Sequence, residues 1–114
     1  MSDRFAAQKQ AYARLIINAG VNLQQGQGVH IQAELGHRDF VRLLTKEAYA
    51  GGAKTVMADW RDPLMERERY LGVADEYLEY LPDFMVTRAR EVVDDGWVRI
   101  ALTGDEYPDA YDGV

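Results

Sequence analysis

The stretch that decides the fold runs from Val29 to Asp59 and reads VHIQAELGHRDFVRLLTKEAYAGGAKTVMAD. At its start, apolar and polar residues alternate over 29–33, which is typical of a β-strand with one buried face. At its end, residues 55–58 are mostly apolar and predict a second, buried strand that ends at Asp59-Trp60. The connection is too long for a hairpin, so the two strands are predicted to run parallel.

A helix is predicted between these two strands. Asp39 stands near its start, where the helix dipole favours an acid, and Gly51-Gly52 stops it. Apolar residues at helical spacing predict its buried stripe. That stripe consists of Phe40, Val41, Leu44 and Ala48.

Upstream of this unit the sequence predicts a first helix that begins at Ser2 as N-cap and ends at Gly20 in a left-handed turn. A polar, glycine-containing loop follows over 22–28. The apolar face of this helix is predicted to consist of Phe5, Tyr12, Leu15, Ile16 and Ala19.

Downstream, two short helical pieces are predicted over 64–71 and 74–81, separated by Gly72. A longer helix over 82–93 follows, then a third strand over 97–103 and a loop from 104 to 114. The apolar positions of the longer helix are Phe84, Val86, Ala89 and Val93.

These elements predict one α/β domain over residues 1–114, with three layers and a short, mainly parallel three-stranded sheet flanked by helices. Such a sheet has two open edges, and parallel sheets rarely stop so small. The chain also ends in a polar loop where another helix is expected. We therefore expect an incomplete part of a larger α/β domain.

Composition and charge exclude several classes of function. The 114 residues contain no cysteine, so a disulfide framework, a thiolate metal site and a cysteine nucleophile are excluded. The net charge is −6 and no basic stripe suggests nucleic acid. No apolar run is long enough to span a membrane, and the polar start over 1–10 lacks a secretion signal, so a cytoplasmic location is expected. Acids concentrate after Asp94, which predicts a solvated surface segment.

Polar residues at the predicted strand ends are the candidates for chemistry, because ligands of open parallel sheets bind there. A metal site would use Glu34, His37 and Asp59, and acid–base chemistry would use His37 with a carboxylate. The simpler interpretation is that these residues cap helices and keep the sheet edge soluble. The full set is Glu34, Gly36, His37, Asp59, Asp62, Thr103 and Asp105.

Three other features have simple interpretations. His30 lies inside a strand and is predicted to be a hydrogen-bonded structural histidine. Gly26-Gln27-Gly28 precedes a strand rather than following one, so it is not a dinucleotide fingerprint. Tyr77 and Tyr80, three residues apart, are predicted either to pack inside the domain or to face a partner.

An ordered set of short segments resembles one family along nearly the whole chain. The family is that of the thermophilic-type metalloaminopeptidases, which includes aminopeptidases T, S and II. This chain departs from the family pattern at Gln25, at Gly28 and over 34–37. The matching segments are Asn18 to Gln24, Gly26-Gln27, Val29-x-Ile31-x-Ala33, Phe40 to Leu44, Glu47 to Tyr49, Gly52 to Lys54, Val56, Asp59-Trp60, Ile100 to Gly104, Pro108-Asp109 and Gly113-Val114.

The resemblance implies an N-terminal α/β domain followed by a catalytic domain that holds two divalent metal ions, namely cobalt, zinc, manganese or magnesium. It implies release of N-terminal amino acids from peptides by a homodimer. The family's metal and catalytic motifs match no position in residues 1–114. We therefore assign no catalytic, cofactor-binding or metal-binding residue, and we expect this segment alone to be inactive and to hold no metal.

Two alternative functions stay open from the sequence. One is a freestanding binding or regulatory module of flavodoxin-like shape, with a small ligand at the strand ends. The other is a small enzyme that uses His37 with Glu34 or Asp59.

Overall fold

Three parallel strands form the centre of the protein. The structure is a computed structural model that describes residues 2–104 and 108–113. The strands are β1 (Gly28–Glu34), β2 (Thr55–Arg61) and β3 (Val98–Ala101), in the order β2-β1-β3. Both pairings of β1 are parallel. The predicted parallel three-stranded α/β sheet is therefore confirmed, with β3 shorter than the predicted 97–103.

Four α-helices surround this sheet in the described part of the chain. A π-helical turn extends the first of them, and a short 3-10 turn precedes both the second and the fourth. The helices are α1 (Ser2–Leu15), α2 (Arg38–Ala50), α3 (Pro63–Gly72) and α4 (Asp83–Asp94), and the turns are Ile16–Gly20, Leu35–His37 and Asp75–Tyr77.

The apolar core lies on one face of the sheet, between the strands and the pair α1 and α2. The predicted stripe of α2 is confirmed, since three of its four residues are buried and Phe40 is half-buried. Alternate residues of β1 fill the same face. The buried cluster consists of Ala13, Ile17, Val29, Ile31, Ala33, Val41, Leu44, Ala48 and Ile100.

The predicted apolar face of α1 is wrong. Phe5, Tyr12 and Leu15 are each 59% exposed, whereas Ala13 and Ile17 are fully buried. Because Ala13 has a small side chain, α1 can approach α2 closely along that line, and the large residues turn outward. Tyr12 still packs on Phe40, with 5.8 Å between the ring centroids.

The predicted left-handed turn at Gly20 is also wrong. The π-helical turn closes the helix, with the Val21 amide donating to the Ile16 carbonyl at 2.9 Å. The left-handed residue comes two positions later, at Asn22, which has φ 49°. Asparagine tolerates this conformation better than most residues with a side chain.

The second half of the chain follows the prediction less closely. The predicted helix over 74–81 is replaced by a single 3-10 turn over Asp75–Tyr77. The helix predicted over 82–93 is confirmed as α4, yet Phe84 and Val93 are about 70% exposed. Tyr77 and Tyr80 are also exposed, so the first of their two predicted roles, packing inside the domain, is wrong, and a partner-facing role stays a prediction.

The protein is more open than a globular domain of its length. The radius of gyration of its Cα atoms is 16.7 Å, against about 13 Å expected for a compact domain of this size. None of the described helices has both the length and the apolar character needed to cross a membrane.

Gly28, a departure from the family pattern, is explained by the position of Trp97. Gly28 is buried at the start of β1, and a Cβ atom there would lie 2.3 Å from two atoms of the Trp97 ring. Asp95 anchors that ring, because its carboxylate accepts a hydrogen bond from Trp97 Nε1 at 3.0 Å and pairs with Lys54 Nζ at 2.5 Å. The indole thus occupies the space that a side chain at position 28 would need.

Candidate functional site

A cavity lies on the second face of the sheet, opposite the apolar core. Polar residues of the three strands form its floor, and one side of α4 forms its roof. Its volume is about 210 Å³. The lining residues are His30, Gln32, Asp59, Met85, Arg88, Ala89, Val92, Val93 and Arg99.

Strand register places the floor residues together. Gln32 lies opposite Asp59 on β2, and His30 lies opposite Arg99 on β3. Because side chains alternate between the two faces of a sheet, these four residues project from the same face, away from the core. His30 and Asp59 are diagonal neighbours in this arrangement and can therefore meet.

His30, Asp59 and Arg88 form a hydrogen-bonded group at one side of the cavity. His30 is buried, and its Nε2 donates to Asp59 Oδ2 at 2.6 Å. Arg88 Nη2 forms an ion pair with the same carboxylate oxygen and lies 3.5 Å from His30 Nε2. The prediction of a hydrogen-bonded histidine is confirmed. Its partner, Asp59, also pairs with Arg88 and so joins the sheet to α4.

The charge state of Asp59 follows from these contacts. The Arg88 guanidinium holds the pKa of this carboxyl below its usual range, and the hydrogen bond from His30 adds to the effect. Partial burial of Asp59 raises this pKa, but by less than the contact with Arg88 lowers it. Asp59 is therefore ionised at neutral pH.

A histidine–aspartate pair can orient a general base, but a nucleophile must stand beside it. The chain has no cysteine, and its one serine is Ser2, in α1. Among the described residues, Arg88 is the next polar group in contact with this pair, and arginine is no nucleophile. The contacts present in this group are therefore the His30–Asp59 hydrogen bond and the Asp59–Arg88 ion pair.

The structure does not bring Glu34, His37 and Asp59 together as a metal site. Across residues 2–104 and 108–113, no group of three or more histidine or acidic side chains is placed to hold a metal ion. The described residues therefore do not fit the metal ions that the family resemblance implies. The proposed pairing of Asp59 with His37 is likewise not formed, since Asp59 contacts His30 and Arg88.

His37 follows β1 in the Leu35–His37 turn, away from the cavity. Its Nδ1 is buried and has no hydrogen-bond partner among the described residues. Its Nε2 faces Gly104, where an added Cβ would lie 3.2 Å away. Glu34 is buried at the end of β1.

Asp62 has the capping role that was predicted for the strand ends. Its side chain accepts a hydrogen bond from the Leu64 amide at 3.0 Å, and Pro63 occupies the first turn of α3. Thr103 is exposed. Asp105 lies outside the described residues.

A second polar cluster, which was not predicted, joins the turns over 108–113 to α3. Arg61 donates two hydrogen bonds to Glu66, at 3.1 and 3.0 Å, and Tyr111 Oη donates to the same carboxylate. The Arg61 guanidinium holds the pKa of Glu66 below its usual range.

Arg67 donates to the carbonyl of the buried Ala110 at 3.0 Å. Residues 108–113 of the predicted loop are therefore held against α3, although Asp109 and Asp112 are exposed as expected of a solvated acidic segment.

Replacing Asp59 by asparagine is expected to change the pH dependence of stability. Because the folded-state pKa of Asp59 is lowered, its ionised form adds stability that is fully present above about pH 4 and is lost as the pH falls through the folded value. The difference in free energy of unfolding between wild type and Asp59→Asn should therefore shrink as the pH falls below about 4. Urea denaturation at several pH values measures it.

Asp39→Asn is the matched control, since the Asp39 carboxylate is 84% exposed in its ion pair with Arg42. Its effect on the free energy of unfolding should be small at both ends of the range. A pH-independent effect of Asp59→Asn would contradict the expectation.

Known proteins resemble this chain along almost its entire length. Residues 5–114 match the profile of the thermophilic metalloprotease (M29) family. The chain is 34% identical to Aminopeptidase AmpS of Bacillus subtilis and 31% identical to Aminopeptidase T of Thermus aquaticus, each over 98% of this chain and 27% of the relative. It therefore spans about a quarter of the length of these curated relatives.

A solved structure shows the same fold. Wild-type AmpT from Thermus thermophilus superimposes with a TM-score of 0.86 at 31% identity, over 96% of this chain and 28% of that one. The match of the family profile to nearly every residue agrees with this likeness. This chain belongs to the thermophilic metalloprotease (M29) family.

Proposed function

We propose that this chain is the N-terminal, non-catalytic segment of a metal-dependent aminopeptidase that releases N-terminal amino acids from peptides. The observation that carries the proposal is the extent of the likeness: nearly all of this chain is matched by about a quarter of proteins named aminopeptidases. We infer that this segment contributes to aminopeptidase activity only together with the rest of the protein.

In this proposal the divalent ions, whether cobalt, zinc, manganese or magnesium, are held by residues outside this chain. The absence of a suitable ligand group among the described residues supports that division. Peptides are the substrates, the whole protein is a cytoplasmic homodimer, and residues 1–114 are its N-terminal α/β portion.

The surface of the segment supports contact with further protein. Large apolar side chains of α3 and α4 are exposed, among them Met65 at 74% and Phe84 at 70%. Both outer edges of the sheet, on β2 and on β3, lack a further strand among the described residues. Surfaces of this kind are normally covered in a complete protein.

The alternative of a freestanding flavodoxin-like module has less support. Such a module binds its ligand beyond the carboxyl ends of the strands. Here the cavity lies over the middle of the sheet, where His30 and Gln32 are the third and fifth residues of β1.

A chimera tests the proposal. Residues 2–113 replace the matching region of Aminopeptidase T from Thermus thermophilus, and hydrolysis of an aminoacyl anilide is measured with added cobalt, zinc, manganese or magnesium. We expect metal-dependent hydrolysis by the chimera and none by the 114-residue chain alone, with unmodified Aminopeptidase T as the positive control.

Two results would count against the proposal. A chimera that folds and binds metal but hydrolyses nothing would show that the segment cannot serve in an aminopeptidase. Metal-dependent turnover by the 114-residue chain itself would show that the segment is catalytic.

A further inference from the structure

We propose that the cavity between the sheet and α4 binds a small organic carboxylate with a short aliphatic chain. This inference goes beyond the aminopeptidase proposal and does not depend on it. It rests on the charges, the apolar lining and the size of a cavity whose residues have no role in the function proposed above.

The charges of the cavity favour one negative group. It contains two guanidinium groups, on Arg88 and Arg99, and one carboxylate, on Asp59. Asp59 already neutralises Arg88 through their ion pair. Arg99 has no hydrogen-bond or ion-pair partner among the described residues, so one positive charge of the cavity is uncompensated in a chain with net charge −6.

The chemistry of the unpaired groups selects a carboxylate and excludes a cation. The planar guanidinium of Arg99 can donate two parallel hydrogen bonds to a carboxylate. Gln32 lines the same floor, and its side-chain amide can add a donor. A metal cation would meet two guanidinium groups and a single carboxylate that is already paired, which makes its binding unfavourable.

The roof of the cavity supplies the apolar part of the site. Met85, Ala89, Val92 and Val93 of α4 line it, and together they present aliphatic surface opposite the polar floor. The volume of about 210 Å³ is below the range of drug-sized pockets, which begins near 300 Å³. A ligand of a few carbon atoms beside its carboxylate matches this division into a charged floor and an apolar roof.

The probe for the test is 4-methylpentanoate, titrated into the 114-residue chain while NMR signals of the lining residues are followed. We expect saturable shifts at Val92, Val93 and the amide of Gln32. The uncharged analogue 4-methylpentanamide has the same alkyl group and should bind at least about tenfold more weakly, because it lacks the charge-assisted hydrogen bonds to Arg99.

Two arginine variants complete the test. Arg99→Ala should weaken binding of 4-methylpentanoate about tenfold or more, without changing the unfolding midpoint, because Arg99 is exposed and unpaired. Arg90→Ala is the matched control: Arg90 is an exposed residue of α4 that does not line the cavity, and its loss should leave the affinity unchanged.

Several outcomes would overturn the proposal. These are the absence of saturable shifts in the wild-type chain, equal affinity for the acid and the amide, and equal loss of affinity in the two arginine variants. Inorganic phosphate shares the negative charge but has no alkyl group. If it bound as tightly as 4-methylpentanoate, the aliphatic part of the proposal would be wrong.

Discussion

Replacing Gly28 by alanine is expected to lower the free energy of unfolding by about 1–3 kcal/mol. The added Cβ would lie 2.3 Å from two atoms of the Trp97 ring, too close for any real contact. The ring cannot move freely, because Asp95 holds its Nε1 at 3.0 Å. Urea denaturation followed by circular dichroism measures the loss.

Gly72 provides the control for this substitution. An alanine Cβ at this position, the last residue of α3, would meet nothing within 4 Å, so Gly72→Ala should change stability by less than about 1 kcal/mol.

A double variant tests the cause. Gly28→Ala should cost much less in a chain that already carries Trp97→Ala, because the clashing ring is gone. Equal costs in the two backgrounds would show that the indole is not responsible.

Replacing Leu44 by alanine is expected to cost about 2–5 kcal/mol of unfolding free energy. Leu44 is fully buried in α2, at the centre of the core on the first face of the sheet. Removing its side-chain carbons leaves a cavity that the surrounding residues fill only in part. The same denaturation experiment measures this loss.

Leu71 is the matched control, since it is also a helical leucine but is 53% exposed. Leu71→Ala should change the free energy of unfolding by no more than about 0.5 kcal/mol. If the two leucine variants lost stability equally, the core would not lie on the α1–α2 face as described.

The β1-α2-β2 unit was predictable because its strand, helix and turn patterns all indicate the same arrangement. Alternation over 29–33, the apolar stripe of α2 and the glycines at 51–52 all indicate the same elements. The face of α1 was not predictable in this way, because its largest apolar residues, such as Tyr12, point outward. Side-chain size suggested one face, whereas close approach to α2 selected the face that carries Ala13.

The candidate site was only partly predictable for a different reason. His30 was correctly interpreted as a hydrogen-bonded residue, but its partner Asp59 is set by the register between two strands. Arg88 joins them from a helix 58 positions away from His30. Such contacts depend on how elements far apart in the chain pack against each other, and no local sequence pattern encodes that packing.

The position of the core residues along the chain determines the order in which parts of the protein can fold. In the described chain, every buried apolar residue except Pro63, Ile100 and Ala110 precedes α3. A ribosome adds about 5–20 residues per second, so the remaining residues take several seconds to appear after β2 is complete. The β1-α2-β2 unit and α1 can therefore collapse during synthesis, and β3 and α4 then assemble on a sheet that already exists.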